Sequence, residues 1–392
     1  MKLKNAVSIL LAGLSGLLGV LLVTILLSGR IESVKPEAAI AFNTNLQLCM
    51  MLVTLYKLGA DSIILSKCTK SGVWYGYVNH FRKILPIAVI AIAVSIALSG
   101  WVSALIIGIA ALFDTYSVLR ISELNSKRKF EFASVAGAFY IPVACLFLIF
   151  SGISVAHSPY IVLVGSVSRF IYVWIAGRMV LMRSADASFI SVSSISLMLA
   201  QQGLNFLMFR GDQLLLGLLY RYHVVSDYAG HGIVWSKLAE FYSAGTLIFT
   251  TVLFPSLVTG MSVRAVRFFV IVRKNIVYVV GAIALAILVF SFGAFLMKGR
   301  LDARILPFFA QSILIVPANL ITYVLFRSDK LIVILISSGL AVLFGLLFAM
   351  ASLLMRLELS VLFVGFIQLL LYVIFAMLIE WKRWLIAHRR DG

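Results

Sequence analysis

Apolar runs of about 20 residues recur along the whole 392-residue chain, each closed by a short polar or basic stretch. A run of that length is what an α-helix needs to cross hydrocarbon, at a rise of about 1.5 Å per residue. The pattern predicts spans near 5–29, 37–66, 84–100, 101–122, 132–153, 157–182, 190–220, 227–258, 275–297, 303–327, 331–355 and 358–381. The third and fourth are separated only by a tight turn at Ser99-Gly100-Trp101. Short alternating segments, the mark of a transmembrane β-barrel, are absent from the pattern. The expected fold is therefore an all-α polytopic membrane protein of about twelve transmembrane helices.

Composition agrees with this reading. Hydrophobic residues make up 62% of the chain, charged residues 12%, and the mean hydropathy is +1.08. A net charge of +18 would suit nucleic acid, but the basic residues lie in the short loops between spans, so no nucleic-acid partner is expected. With the N-terminus inside, 22 Lys and Arg fall on the cytoplasmic side and 7 on the other. The positive-inside rule then puts both termini in the cytoplasm. The run from Ala6 to Leu27 is too long for a signal h-region and is read as the first span. Cys49, Cys68 and Cys145 have no metal-ligand or CxxC spacing. Loops of at most about 20 residues leave little room for an extramembrane catalytic domain.

Four cations remain inside spans, Lys57, Arg169, Arg210 and Lys237, along with the acids Asp61, Asp114, Asp212 and Glu240. Ionisable groups at such depth face a bundle interior or a water-filled cavity. Arg169, Arg210 and Lys237 each lie roughly 13–17 Å from a periplasmic helix end, on three different spans. Lys237 and Glu240 are i,i+3 neighbours and form a candidate pair. Arg210 and Asp212 point to different sides of a regular helix, unless Gly211 loosens it. Trp235 and Tyr242 supply aromatic faces suited to stacking on sugars or to ordinary packing. The bland readings are equally concrete. Lys57 snorkels to the nearby interface, and Asp114 pairs with a basic loop residue. The last two spans carry little polarity beyond Gln368 and fit helices surrounded by lipid. Polarity thus concentrates in the second, seventh and eighth spans, with single charges in the fourth and sixth. A cavity between those spans is the economical inference.

An even division falls at the loop after the sixth span, giving halves 1–182 and 183–392. Val34–Lys67 aligns loosely with Val225–Val258, as expected of a parallel repeat. The stretches Arg210-Gly211-Asp212-Gln213-Leu214, Val225-Ser226-Asp227-Tyr228-Ala229 and Leu253-Phe254-Pro255-Ser256-Leu257 resemble the second half of polysaccharide repeat-unit flippases. Lys57-Leu58-Gly59-Ala60-Asp61 looks like that family's Leu-Gly-hydrophobic-Asp pattern, and Leu119-Arg120 to Lys127-Arg128-Lys129-Phe130 is similar to its basic loop. These are the Wzx-type (O-antigen) members of the multidrug/oligosaccharidyl-lipid/polysaccharide exporter superfamily.

The resemblance implies two six-helix bundles around a central cavity in the bacterial inner membrane. The substrate it implies is an undecaprenyl-diphosphate-linked oligosaccharide. Arg210, Lys237, Arg169, Trp235 and Tyr242 would then hold substrate, and Glu240, Asp212, Asp114, Asp61 and Lys57 would serve as coupling or cavity ion pairs. Membrane lipids, a polysaccharide polymerase and a chain-length regulator are the partners it implies. A monomer with no cofactor is expected. Two rivals stand beside this reading, an ion-coupled multidrug exporter of the same superfamily and a membrane-embedded glycan-assembly enzyme. Against the enzyme, His80, His157, His223, His231 and His388 are scattered, and only His231 approaches the candidate cavity.

Overall fold

The computed structural model describes residues 36–61, 64, 74–75, 77–126, 129, 132–133, 135–136, 139, 158–180, 187–188, 192–221, 235–236, 238–239, 242, 280–281, 283–288, 290–291, 305–327 and 330–390. The chain divides into two compact units. Unit 1 is Met1–Phe206 with Gln213–Gly230, and unit 2 is Leu207–Asp212 with His231–Gly392. The described parts are helical, apart from a pair of two-residue strands. Among the described residues, four helices are long and apolar enough to cross a membrane: Trp101–Asn125, Ser158–Met179, Leu331–Leu354 and Ser360–Lys382. The first span, and most of the fifth, eighth and ninth, lie outside the described residues.

In unit 1, α1 (Pro36–Lys57) begins on a proline, whose missing N–H costs nothing at a first helical position. It ends where Leu58 and Gly59 turn left-handed, at φ 50° and 71°. The single long helix expected over 37–66 is therefore broken, because two successive residues leave the right-handed well. Next, α2 (Tyr77–Ser99) starts seven residues before the expected 84, which places Arg82 and Lys83 on the helix instead of in the loop. Gly100, at φ 79°, closes it by donating to Ile96 O at 2.9 Å. The same residue's carbonyl accepts from Ala104 at 3.0 Å and starts α3 (Trp101–Ser126), so the turn expected at Gly100 is present.

α4 (Ser158–Val180) and α5 (Val192–Arg221) match their predicted spans within two residues. β1 (Trp74–Tyr75) pairs in parallel with β2 (Ala187–Ser188), with Trp74 opposite Ala187. That pairing brings the residues just before α2 against those just before α5. The core gathers Leu46, Cys49, Leu52 and Tyr56 of α1, Ile84 and Ala88 of α2, Ile107 and Ala111 of α3, and Ile161 of α4.

Unit 2 contains α6 (Leu306–Arg327), α7 (Leu331–Leu354), a 3-10 turn at Glu358–Phe363, and α8 (Val364–Arg390). Neither α7 nor α8 is lipid-facing all round, contrary to the expectation from their composition. α7 buries a stripe of small residues, Ser338, Ala341, Gly345, Ala349 and Ser352, while Leu343, Leu347 and Met350 stay exposed. Small side chains let two backbones approach closely, and close packing drives helix association where no water is present to be displaced. At the closest point the Gln368 side chain of α8 lies over Gly345, so a Cβ there would collide with it. Thr322 and Tyr372 join their hydroxyls at 2.6 Å, and Lys330 pairs with Glu380.

Two features fit a lipid environment in both units. Hydroxyls on the spans donate to the carbonyl four residues back, as Thr115 does to Ala111 O at 2.7 Å and Ser312 to Phe308 O at 2.9 Å. Such back-bonding satisfies a polar group within its own helix. Large apolar side chains such as Ile90, Ile109, Ile175 and Met350 face outward. Contiguous outward-facing hydrophobics mark a membrane-contacting surface.

Candidate functional site

The charged groups that the sequence placed inside spans are matched locally in unit 1. Lys57 Nζ lies 2.9 Å from Asp61 Oδ2 across the break at Leu58-Gly59. Gln202 of α5 donates to the other Asp61 oxygen at 3.0 Å. Lys57 therefore holds a carboxylate in place of snorkelling outward. Asp114 of α3 pairs with Arg169 of α4, at 3.3 Å. The partner of Asp114 is thus a second mid-span group and not the loop cation that composition suggested. Arg120 pairs with Glu123 at 2.6 Å and packs over Gly177, where any side chain would meet the guanidinium.

A polar seam on α1 was missed by attention to charge alone. Asn45 donates to Ser158 Oγ at 2.7 Å, and Gln47 donates to Gln213 Oε1 at 2.6 Å. Asn43 is fully buried, and neither carboxamide atom has a hydrogen-bond partner among the described residues. The signal was present in the sequence as Asn43-Thr44-Asn45 followed by Gln47 inside one span. Four polar side chains within five residues of a membrane helix require interior partners. Thr44 sits against Gly217, and that close approach of α5 excludes any larger residue there.

In unit 2, Asp212 is buried and accepts from Ser236 Oγ at 3.2 Å and from Gln311 Nε2 at 3.4 Å. Gly365 of α8 leaves the space, since a Cβ there would lie 2.9 Å from Asp212 Oδ2 and 2.6 Å from Gln311 Nε2. Neither Ser236 nor Gln311 was singled out in the sequence, although a carboxamide inside the apolar run of α6 was visible. α5 is continuous through Gly211, so that glycine does not loosen the helix. Arg210 is half-buried and lies roughly 200° around the helix from Asp212.

Trp235 is 2% exposed and stacks on Phe290, with ring centroids 6.0 Å apart and planes at 9°. Phe290 meets Phe309 edge-on at 5.6 Å. Tyr242 is buried as well. Lys237 and Glu240 lie outside the described residues. In unit 1 the arrangement holds carboxylates against cations and an amide. In unit 2 it holds the Asp212 carboxylate against a hydroxyl and an amide.

No protein-family model and no curated protein sequence matches the chain. Two of the solved structures that are similar to it match over nearly its whole length. One is the outward-facing conformation of a multidrug resistance MATE family transporter of the MOP superfamily, 12% identical, with a TM-score of 0.51 and coverage of 99% of this chain and 97% of that one. The other is a MOP superfamily transporter from Pyrococcus furiosus, 12% identical, with a TM-score of 0.56 and coverage of 98% and 96%. Its published description is that the reverse polarity of its binding pocket suggests a different function. This chain has the fold of MOP superfamily transporters. Its described residues are helical apart from two short strands, four of its helices are long and apolar enough to cross a membrane, and its structural neighbours are transporters.

Proposed function

We propose that the protein is a flippase that moves undecaprenyl-diphosphate-linked oligosaccharide repeat units across the bacterial inner membrane by alternating access. The fold supports a transporter, and the sequence resemblance supports the substrate class. The observation that carries the reading is Arg210. A permanent charge sits half-buried on α5, eleven residues and so about 16 Å from the helix end at Arg221. In a low-dielectric setting such a cation attracts a diphosphate strongly. Lys237 and Arg169 are its proposed companions. The six-plus-six division at 182/183 would supply the two moving halves, and Trp235 and Tyr242 would meet the sugars once the halves rock. A polymerase and a chain-length regulator would act on the product.

The buried Asp212, with its Ser236 and Gln311 donors, favours a second reading: ion-coupled export of a cationic drug. That the Pyrococcus furiosus transporter is described by reversed pocket polarity supports pockets of either sign on this fold. Gene deletion, complemented by wild type, R210Q or K237Q, separates the two. The flippase reading expects loss of surface polysaccharide, with intact lipid-linked repeat units accumulating on the cytoplasmic face, restored by wild type and by neither variant. Surface polysaccharide unchanged by the deletion, with raised drug sensitivity, would establish the exporter. Complementation by both variants would remove the cation assignment while leaving the flippase intact.

A further inference from the structure

One apolar cleft belongs to none of the charged clusters. It is an open groove of about 320 Å³ in unit 1, lined by Phe132 and Phe139 and by Ser168, Ile171, Tyr172, Ile175, Ala176 and Met179 of α4. The α4 positions recur at spacings of three and four, so they form one stripe along the helix. Two bonds fix the walls: Ser168 donates to Phe139 O at 3.0 Å, and Tyr172 donates to Phe132 O at 3.2 Å. Phe139 stacks on Tyr172, with centroids 4.6 Å apart. The polar atoms of the walls are thereby consumed, and the surface left to an occupant is hydrocarbon. Ile171, Ile175 and Met179 are exposed although they lie on a helix apolar enough to cross a membrane.

The two ends of the cleft differ. Among the described residues no charge lines the cleft itself, and at the Phe139–Ser168 end the neighbouring cation, Arg169, is taken up by Asp114. At the Phe132–Met179 end, exposed Arg178 directly precedes Met179, and exposed Lys129 comes three residues before Phe132. The Arg178 guanidinium lies over the Trp174 ring, 3.8 Å from its centroid. A tryptophan with a cation one turn on marks the headgroup level of a membrane helix. The charge count puts this end in the cytoplasm. From Met179 to Ser168 the stripe runs about 16 Å, against about 15 Å for half of the hydrocarbon core. Its length is that of one leaflet.

We propose that this cleft is a binding site for an anionic glycerophospholipid of the cytoplasmic leaflet. One acyl chain lies along Ile171, Ile175 and Met179, and the phosphate is held by Arg178 and Lys129. Charge complementarity selects an anionic headgroup. The one-leaflet length selects an acyl chain over a polyprenyl tail, which is several times longer. The site stands on the membrane-spanning reading of α4 and not on the proposed substrate.

Native mass spectrometry of the purified full-length protein tests it, with dioleoyl phosphatidylglycerol and dioleoyl phosphatidylcholine as probes. Wild type should retain one phosphatidylglycerol about tenfold more strongly than phosphatidylcholine. R178Q combined with K129Q should abolish that preference. I175W fills the groove from an exposed position that does not threaten folding, and it should remove the bound phosphatidylglycerol while an unchanged thermal melt confirms the fold. Equal retention of the two lipids by wild type would overturn the headgroup assignment. Retention in I175W would overturn the groove. Displacement of phosphatidylglycerol by equimolar undecaprenyl phosphate would show that a polyprenyl chain is the true occupant.

Discussion

The interior of unit 1 and the α7–α8 pair of unit 2 hold membrane helices together by opposite means. In unit 1 the contacts are made by polar side chains: Asp114 with Arg169, Asn45 with Ser158, and Gln47 with Gln213. Between α7 and α8 the close approach is made by the absence of side chains, with Gly345 admitting Gln368 and Ala341 and Ala349 buried beside it. The first solution places charges in the middle of the spans. The second keeps charge to one end, where Lys330 at the start of α7 pairs with Glu380 of α8. Inside a membrane both are sound, because burial of apolar surface gives no advantage over lipid and association must come from packing or from hydrogen bonds.

The contrast is broken most severely at the ion pair. Asp114→Asn or Arg169→Gln alone should lower stability by about 3 kcal/mol, since each removes an opposite charge from beside the other. The double substitution with apolar residues should recover most of that loss. Thermal unfolding of the purified protein reads both effects. Single variants as stable as wild type would mean that the pair is held for function alone. At the small-residue contact, Gly345→Ala forces Gln368 aside and should cost about 1 kcal/mol. Adding Gln368→Ala should relieve part of that loss, and failure to do so would place the strain elsewhere in α7. The amide pair sharpens the comparison with the smallest effect. A double-mutant cycle on Gln47→Leu and Gln213→Leu should return about 0.6 kcal/mol of coupling, the usual scale for hydrogen bonds between membrane helices. A value near zero would put the polar seam on a par with lipid contact.

Much of the helix layout was legible because its determinants are local. The lengths of α3, α4, α5, α6 and α7 follow from apolar runs and agree with the described helices within a few residues. The break after Lys57 is not legible in Leu58-Gly59, because a Gly inside an apolar run is common in membrane helices and only the backbone angles reveal a turn. Charge marks Asp114, Arg169, Lys57 and Asp61 as groups within spans but not which pairs with which, and it does not reach the donors to Asp212. Ser236 and Gln311 are uncharged and 24 and 99 residues distant from Asp212. No local pattern links them.

By itself, the sequence determined the apolar, membrane-like character of the chain, where the five helices α3 to α7 begin and end, and that Asp114, Arg169, Arg210 and Asp212 lie within helices. Hydrophobic length and loop charge are enough for that, since lipid tests each segment separately. The tertiary structure decided which charges neutralise one another, which glycines must stay glycine, and that α7 and α8 turn a small-residue seam inward. Those outcomes depend on contacts between distant segments, and no segment encodes the surface it will meet.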